Sequence, residues 1–481
     1  MKKLISLVLA LVLSFTLCVP AFASDEAAVE YDGEPIVVVR GIDFAGLIKD
    51  DGSKAISIDA FDVLSIIFDI GAYKVTGQKA AAAHAIADFG KNVLGDIMVD
   101  QNGNSVNADV HIPKFYDCGA DLDLSDDDVW SDTAVGLFRS LTRKYGGENV
   151  YLYTFDWRKS PEALADDLNS YFQMVLEKTG ASKLDVAACS MGGMITTAYI
   201  DKYGADIFDS VVFMSPAHNG ADVVGSAFTG DLTISGQDLT DFLIKKIGNN
   251  FFVKVIIKIL DFLGLIDVVS NFVNEVLADY GDIIYDELLC EVFRTTYGLW
   301  GLVPDDYFDD AVEYFFSGVE DEYAVALDEI AKIRDFVFRT EEIIAKLPAA
   351  GVKVSFVSHY NNKQLPIYSK AYLHGDGVLE SARTSNGATF ANYGEALTDE
   401  QLAGVAAEYI SPDRVVNAST CLYPASTWIV KGAKHVGCKD NSDHTEFAIW
   451  LLAQDTQPTV YTNPAYPRFI NVDANENFID F

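Results

Sequence analysis

The chemistry suggested by this sequence centres on Ser190. It sits in the stretch KLDVAACSMGGMITTAY, residues 183–199. Leu184 to Cys189 has the composition of one buried parallel strand, and a helical pattern opens at Gly192-Gly193 and ends near Gly204. A serine alone between such a strand and helix is held on a strained elbow, its hydroxyl pointing out of the top of the sheet. So sharp a turn needs small residues two before and two after it, and here they are Ala188 and Gly192. The N–H of Met191, next in the chain, would face an oxyanion forming on a carbonyl that Ser190 attacks. The competing reading is a buried strand–helix turn with a chance serine.

A serine hydroxyl is a weak nucleophile until a base removes its proton, and the base needs a carboxylate to fix its tautomer. The chain supplies Asp376 within Gly375-Asp376-Gly377, and then His435 after the strand Thr427 to Val430. Asp376 could also be a simple turn aspartate. His435 competes with His444, which falls inside a closing helix from about Asp443 to Leu452 and reads as a packing or capping residue. His218, His359 and His374 are less well placed, and the histidines lack ligand spacing for zinc. A second oxyanion donor is expected from Ile42, where the strand Glu34 to Ile42 breaks at Gly41; a plain tight turn is the alternative. No cofactor is implied.

These residues need a frame. Val150 to Thr154, Ser210 to Met214 and Val352 to Ser358 read as further buried strands. A helix follows the first of them, capped by Ser160, opened by Pro161 and stopped at Gly180. Strand, helix, strand, serine, helix is the order of a right-handed parallel βαβ sheet. The expected organisation has a first core part over 24–230, interrupted by an insertion at about 50–147. A helical cap or lid follows over 231–347, then a second core part over 348–455 and a polar surface tail over 456–481.

The 481 residues are half hydrophobic, enough for a sizeable core. Residues 1–23 read as a secretory signal, with Lys2-Lys3, an apolar run from Leu4 to Val19 and Ala21-Phe22-Ala23 before the cut. No later segment is apolar enough to span a bilayer. Loss of the signal moves the net charge from −36 to −38, because Lys2 and Lys3 leave with it. Such a surface excludes non-specific nucleic-acid binding. The acidic run Asp117 to Asp132 lacks the glycine and terminal glutamate of an EF-hand and reads as a solvated loop. Five cysteines remain after processing. Cys189 is expected to be the unpaired one, Cys421 is expected to pair with Cys438, and Cys118 with Cys290.

Phe155-Asp156-Trp157-Arg158, Ala188 to Gly193, Ser215-Pro216, Gly375-Asp376-Gly377 and Gly432 to His435 resemble the lecithin:cholesterol acyltransferase-like lipases among the α/β-hydrolases. The resemblance implies an α/β-hydrolase fold: a mostly parallel sheet, helices on both faces and a large helical cap insertion. It implies Ser190, Asp376 and His435 as nucleophile, acid and base, Ile42 and Met191 at the oxyanion hole, and Asp156-Trp157-Arg158 as structural support. Two positions depart from the pattern. Cys189 stands where a histidine commonly precedes the serine, and Arg40 where a histidine or proline commonly precedes the oxyanion-loop glycine.

The expected activity is hydrolysis of a lipid or other long-chain acyl ester by a secreted protein. An acyltransferase, in which an alcohol replaces water at deacylation, and a non-catalytic surface binding protein on the same fold are the alternatives. Leu243 to Leu260 is a last expectation. It has no acidic residue and carries Lys245, Lys246, Lys254 and Lys258, which suits either a buried cap helix with snorkelling lysines or a lid meeting anionic lipid.

Overall fold

In the computed structural model the described residues are 31–43, 46–57, 60–112, 118–121, 135–234 and 265–481. The signal segment, most of the acidic run and the lysine-bearing stretch Leu243 to Leu260 lie outside them.

The centre is an eight-stranded sheet. Its strands are β1 (Ile36–Val39), β2 (Val150–Tyr153), β3 (Leu184–Cys189), β4 (Phe208–Met214), β5 (Lys353–Tyr360), β8 (Thr427–Lys431), β9 (Phe469–Val472) and β10 (Phe478–Ile479), in the order β10-β9-β8-β5-β4-β3-β1-β2. Every pairing in it is parallel except β9 with β10. A small antiparallel pair, β6 (Thr389–Phe390) and β7 (Val416–Asn417), stands apart. The principal helices are α1 (Ala60–Thr76), α2 (Lys79–Leu94), α3 (Val135–Tyr145), α4 (Pro161–Thr179), α5 (Met191–Tyr203), α6 (Leu265–Ile284), α7 (Asp305–Phe316), α8 (Ala324–Phe338), α9 (Thr340–Ala349) and α10 (Asp443–Leu452).

The strands read as continuous apolar runs because both faces of the sheet are covered. Val37, Val39, Tyr151, Val186, Ala188, Val211, Phe213 and Phe356 face one cluster with Leu168 and Phe172 of α4 and Ile195 of α5. Ile36, Val38, Leu152, Ala187, Cys189, Met214, Trp428 and Val430 face a second with Phe138 of α3 and Phe447 of α10. The signals read for α4 hold in detail: the Ser160 hydroxyl accepts from the Ala163 N–H, and Gly180 closes the helix with φ 73°. Between β4 and β5 the described segment 265–349 contains helices and no strand.

Three features differ from expectation. The C-terminal segment is not only surface: Phe469–Val472 pairs in parallel with β8, and Phe478–Ile479 returns against it. The four residues of β9 are buried only in alternation and the edge strand β10 has two, so neither shows the continuous apolar run that marks the equally short β1 and β2. Cys421 and Cys438 are free thiols. Successive residues of a strand point to opposite faces: Cys421 packs with Ile429 of β8, whereas Cys438 packs with its neighbours Trp428 and Val430. The sheet therefore stands between the two sulfurs. Cys290 is also a free thiol, so its expected bond to Cys118 is not made; the Cys118 sulfur meets Lys178 Nζ at 3.7 Å instead.

Candidate active site

Ser190 is placed by β3 and α5. Its backbone has φ 53° and ψ −125°, a conformation that a residue with a Cβ adopts only when its surroundings enforce it. The enforcement is visible: the Ser190 N–H donates to Met214 O, and its carbonyl accepts from the N–H groups of Gly193 and Ala217. Gly192 is needed for space, since a Cβ there would lie 2.2 Å from the Val39 carbonyl oxygen and 2.6 Å from that of Arg40. The chain leaving β1 thus runs directly against the elbow.

Sequence positions separated by 245 residues meet at the serine. His435 Nε2 lies 2.8 Å from Ser190 Oγ, and His435 Nδ1 lies 2.7 Å from Asp376 Oδ2. The other carboxylate oxygen of Asp376 accepts from the N–H groups of Val378 and Leu379, at 2.9 and 2.8 Å, so Oδ2 is left to the imidazole. Asp376 is fully buried. Burial alone would raise its pKa, but His435 and the Leu379 N–H outweigh it and hold the carboxyl below its ordinary value. Ser190 and His435 are themselves nearly buried.

Cys189 does not compete with the serine. Burial pushes its thiol up to about 12, which leaves no thiolate at neutral pH. Met191 is the first residue of α5, where no preceding turn can satisfy its N–H. Ile42 is half-buried, two residues beyond the Arg40 carbonyl that touches Gly192. Arg40 is buried, and its Nη2 donates to Asp43 Oδ2 at 2.9 Å, so this departure is turned toward its own loop.

Residues 152–241 match the family model of the α/β hydrolase fold. Together with the eight-stranded, mostly parallel sheet and its flanking helices, that decides the architecture. The chain carries an α/β-hydrolase fold. Of solved structures, the Tle4–Tli4 complex is similar at 12% identity and a TM-score of 0.26, over 69% of this chain and 75% of that one, too distant to inform function. No curated protein is similar to the chain in sequence.

Other residues of this α/β-hydrolase fold sort around the serine. Asp156-Trp157-Arg158 joins both insertions to the core. Arg158 is held bidentately by Asp156, its Nη1 donates to Ile97 O and Ser105 Oγ, and its carbonyl accepts from Gly298 N–H. His218 binds Asn386 Oδ1 through Nε2 at 2.6 Å; burial lowers it to about 4 despite the opposing pull of Asn386. His374 packs against Tyr360 and Tyr393. His444 is not at the serine. It belongs with His359, Ser215 and Glu476 to a buried polar chain beneath the His435 loop. Sequence reasoning missed this chain because its members come from four separate elements with no spacing rule to join them. No helix among the described residues is long and apolar enough to cross a membrane.

Proposed function

We propose that this protein is a serine hydrolase that cleaves carboxylic esters through an acyl-enzyme on Ser190. The observation that carries the reading is the hydrogen-bonded line from Ser190 Oγ through His435 to Asp376, on an elbow with φ 53°. His435 Nε2 takes the hydroxyl proton as Ser190 Oγ attacks the ester carbonyl. Asp376 keeps the other ring proton on Nδ1 and stabilises the imidazolium. The tetrahedral oxyanion is received by the N–H groups of Met191 and Ile42. Collapse expels the alcohol, which leaves with the proton from His435 Nε2. Water then gives a proton to the same nitrogen as it attacks the acyl carbonyl, and the second collapse breaks the bond to Ser190 Oγ, which takes that proton back as the acid departs.

The family resemblance supports a long-chain or lipid acyl ester as substrate, and the leader-like residues 1–23 support secretion. A fluorophosphonate probe should label the protein at Ser190. Ser190→Ala should abolish both label and ester turnover while the thermal transition is retained, and His435→Ala should lower kcat by about 10⁴ or more. Turnover that survives Ser190→Ala would end this reading.

A further inference from the structure

His435 is followed at once by an unusual turn. Val436, Gly437 and Cys438 have φ of 61°, 62° and 64°, three consecutive residues in the left-handed region. A β-branched residue there is a genuine outlier, and strain of this kind persists only when the surroundings over-determine it. The surroundings are a buried polar chain. Val436 N–H donates to Ser215 Oγ at 3.2 Å, Cys438 N–H to His444 Nδ1 at 3.2 Å, and Lys439 N–H to Glu476 Oε2 at 2.7 Å. Gly437 lies over the rings: a Cβ there would come 2.7 Å from His444 Cε1 and 3.4 Å from His359 Cε1.

The directions of these bonds are forced. A backbone N–H can only donate, so His444 Nδ1 carries no proton and the neutral ring carries it on Nε2. That nitrogen is 3.1 Å from His359 Nε2, which must accept. The proton of His359 is then on Nδ1, which donates to Ser215 Oγ at 2.9 Å. The relay read this way runs from Cys438 to His444, to His359, to Ser215, with Val436 closing on the same hydroxyl and Glu476 Oε2 3.8 Å from His444 Nδ1. Ser215 follows β4, His359 is in β5, His444 is in α10 and Glu476 lies between β9 and β10. The elements of the sheet thus converge on one backbone turn.

We propose that Ser215, His359, His444 and Glu476 are positioning residues that clamp the 436–439 backbone and thereby hold the His435 imidazole between Ser190 and Asp376. The inference rests on the serine-hydrolase reading and goes beyond it, because none of the four touches the reacting atoms. His359 is fully buried, and burial with His444 beside it lowers its pKa to about 3, so it remains neutral through the working range. A purely structural cluster would move stability alone. A clamp on the base moves kcat, because a misplacement of about 1 Å in the reacting geometry costs on the order of 10²-fold.

The test uses the whole protein, a short soluble ester, and kcat referred to the serine labelled by fluorophosphonate at completion. Ser215→Ala removes the acceptor of Val436 N–H with little change in volume, and His444→Phe removes the acceptor of Cys438 N–H. We expect kcat to fall about 10-fold and about 100-fold respectively, with KM unchanged. His444→Asn keeps an acceptor oxygen near the Nδ1 position and should recover kcat to within about threefold of the parent. Equal kcat in His444→Phe and His444→Asn, or parental kcat in Ser215→Ala, overturns the clamp. If His444→Phe does not fold, Ser215→Ala decides alone. A parent protein that takes no label at Ser190 overturns the hydrolase reading and the clamp with it, whereas a labelled parent with an indifferent Ser215→Ala overturns only the clamp.

Discussion

Two buried aspartates serve opposite ends of the same sheet. Asp185 is near the start of β3, five residues before Ser190, or about 17 Å along the strand. Asp376 stands at the other end, against the imidazole that reaches Ser190. Burial opposes the charge of both, yet Asp376 is held below its ordinary value and Asp185 is raised to about 7. The difference lies in the donors. Asp376 has His435 and two backbone N–H groups. Asp185 has the Ser210 hydroxyl, at 2.5 Å, with Lys353 helping and Asp209 and Glu34 opposing. Glu380, only four residues beyond Asp376, extends the lesson. Tyr368, Gln364 and the Asp222 N–H all donate to it, but burial and the adjacent Asp222 carboxylate still raise its pKa. What sets Asp376 apart from both is that no carboxylate is among the groups that raise its pKa, while an imidazole joins its backbone donors, and this molecule arranges that at the serine.

The largest test of the comparison is Asp376→Asn. The shape is retained, but the amide can no longer accept the Nδ1 proton as a carboxylate does, and the imidazole is free to take the wrong tautomer. We expect kcat to fall by about 10⁴ near neutral pH with KM little changed, read by steady-state kinetics on a soluble ester. A loss of tenfold or less would mean that the two ends of the sheet differ in charge but not in duty.

Much of this arrangement was legible beforehand, for reasons that differ by residue. Ser190 announces itself because strand, small residues and helix are contiguous, and the observed β3 and α5 boundaries follow that pattern. His435 and Asp376 could be nominated from chain order, and the structure brings both to the serine. What stayed hidden depends on facing rather than sequence. Which side of β8 a cysteine packs on is invisible without the sheet, so Cys421 and Cys438 looked like partners. The relay through His359 and His444 was hidden for the same reason, and β9, buried only in alternation, lacks the continuous apolar run that gave away the equally short β1 and β2.

A smaller effect is expected at the other aspartate. A folded pKa of about 7 lies above the unfolded value of about 4. The stability contributed by protonated Asp185 is therefore fully present below pH ~4 and is lost as pH rises through about 7. Three units correspond to roughly 4 kcal/mol as an upper bound. Asp185→Asn keeps the size and the acceptor for Ser210 but cannot ionise. Denaturant unfolding should find it more stable than the parent at pH 8, by about 1–3 kcal/mol, with the gap closing toward pH 5. A constant difference between the two across that range would remove Asp185 from the comparison.

Ser210→Ala sharpens the same contrast from the donor side, with the smallest expected change. Ser210 Oγ is the hydroxyl that meets Asp185 Oδ1, and both residues are buried. Its removal withdraws a donor that favours the charged form, so the folded pKa of Asp185 should climb further above 7. By the same sign, the pH at which stability is lost moves upward. Hydrogen bonds to charged groups contribute about 1.5–3 kcal/mol and neutral ones about 1, so the extra cost in the ionised state is about 1 kcal/mol, or somewhat under one pH unit. Ser210→Ala should thus be mildly destabilised at pH 5 and about 1 kcal/mol worse at pH 9. Ester turnover near neutral pH should be unaffected, since Asp376 keeps all its donors. If the penalty were the same at both pH values, Asp185 would be held by something other than the balance of donors and anions, and the contrast with Asp376 would need a different cause.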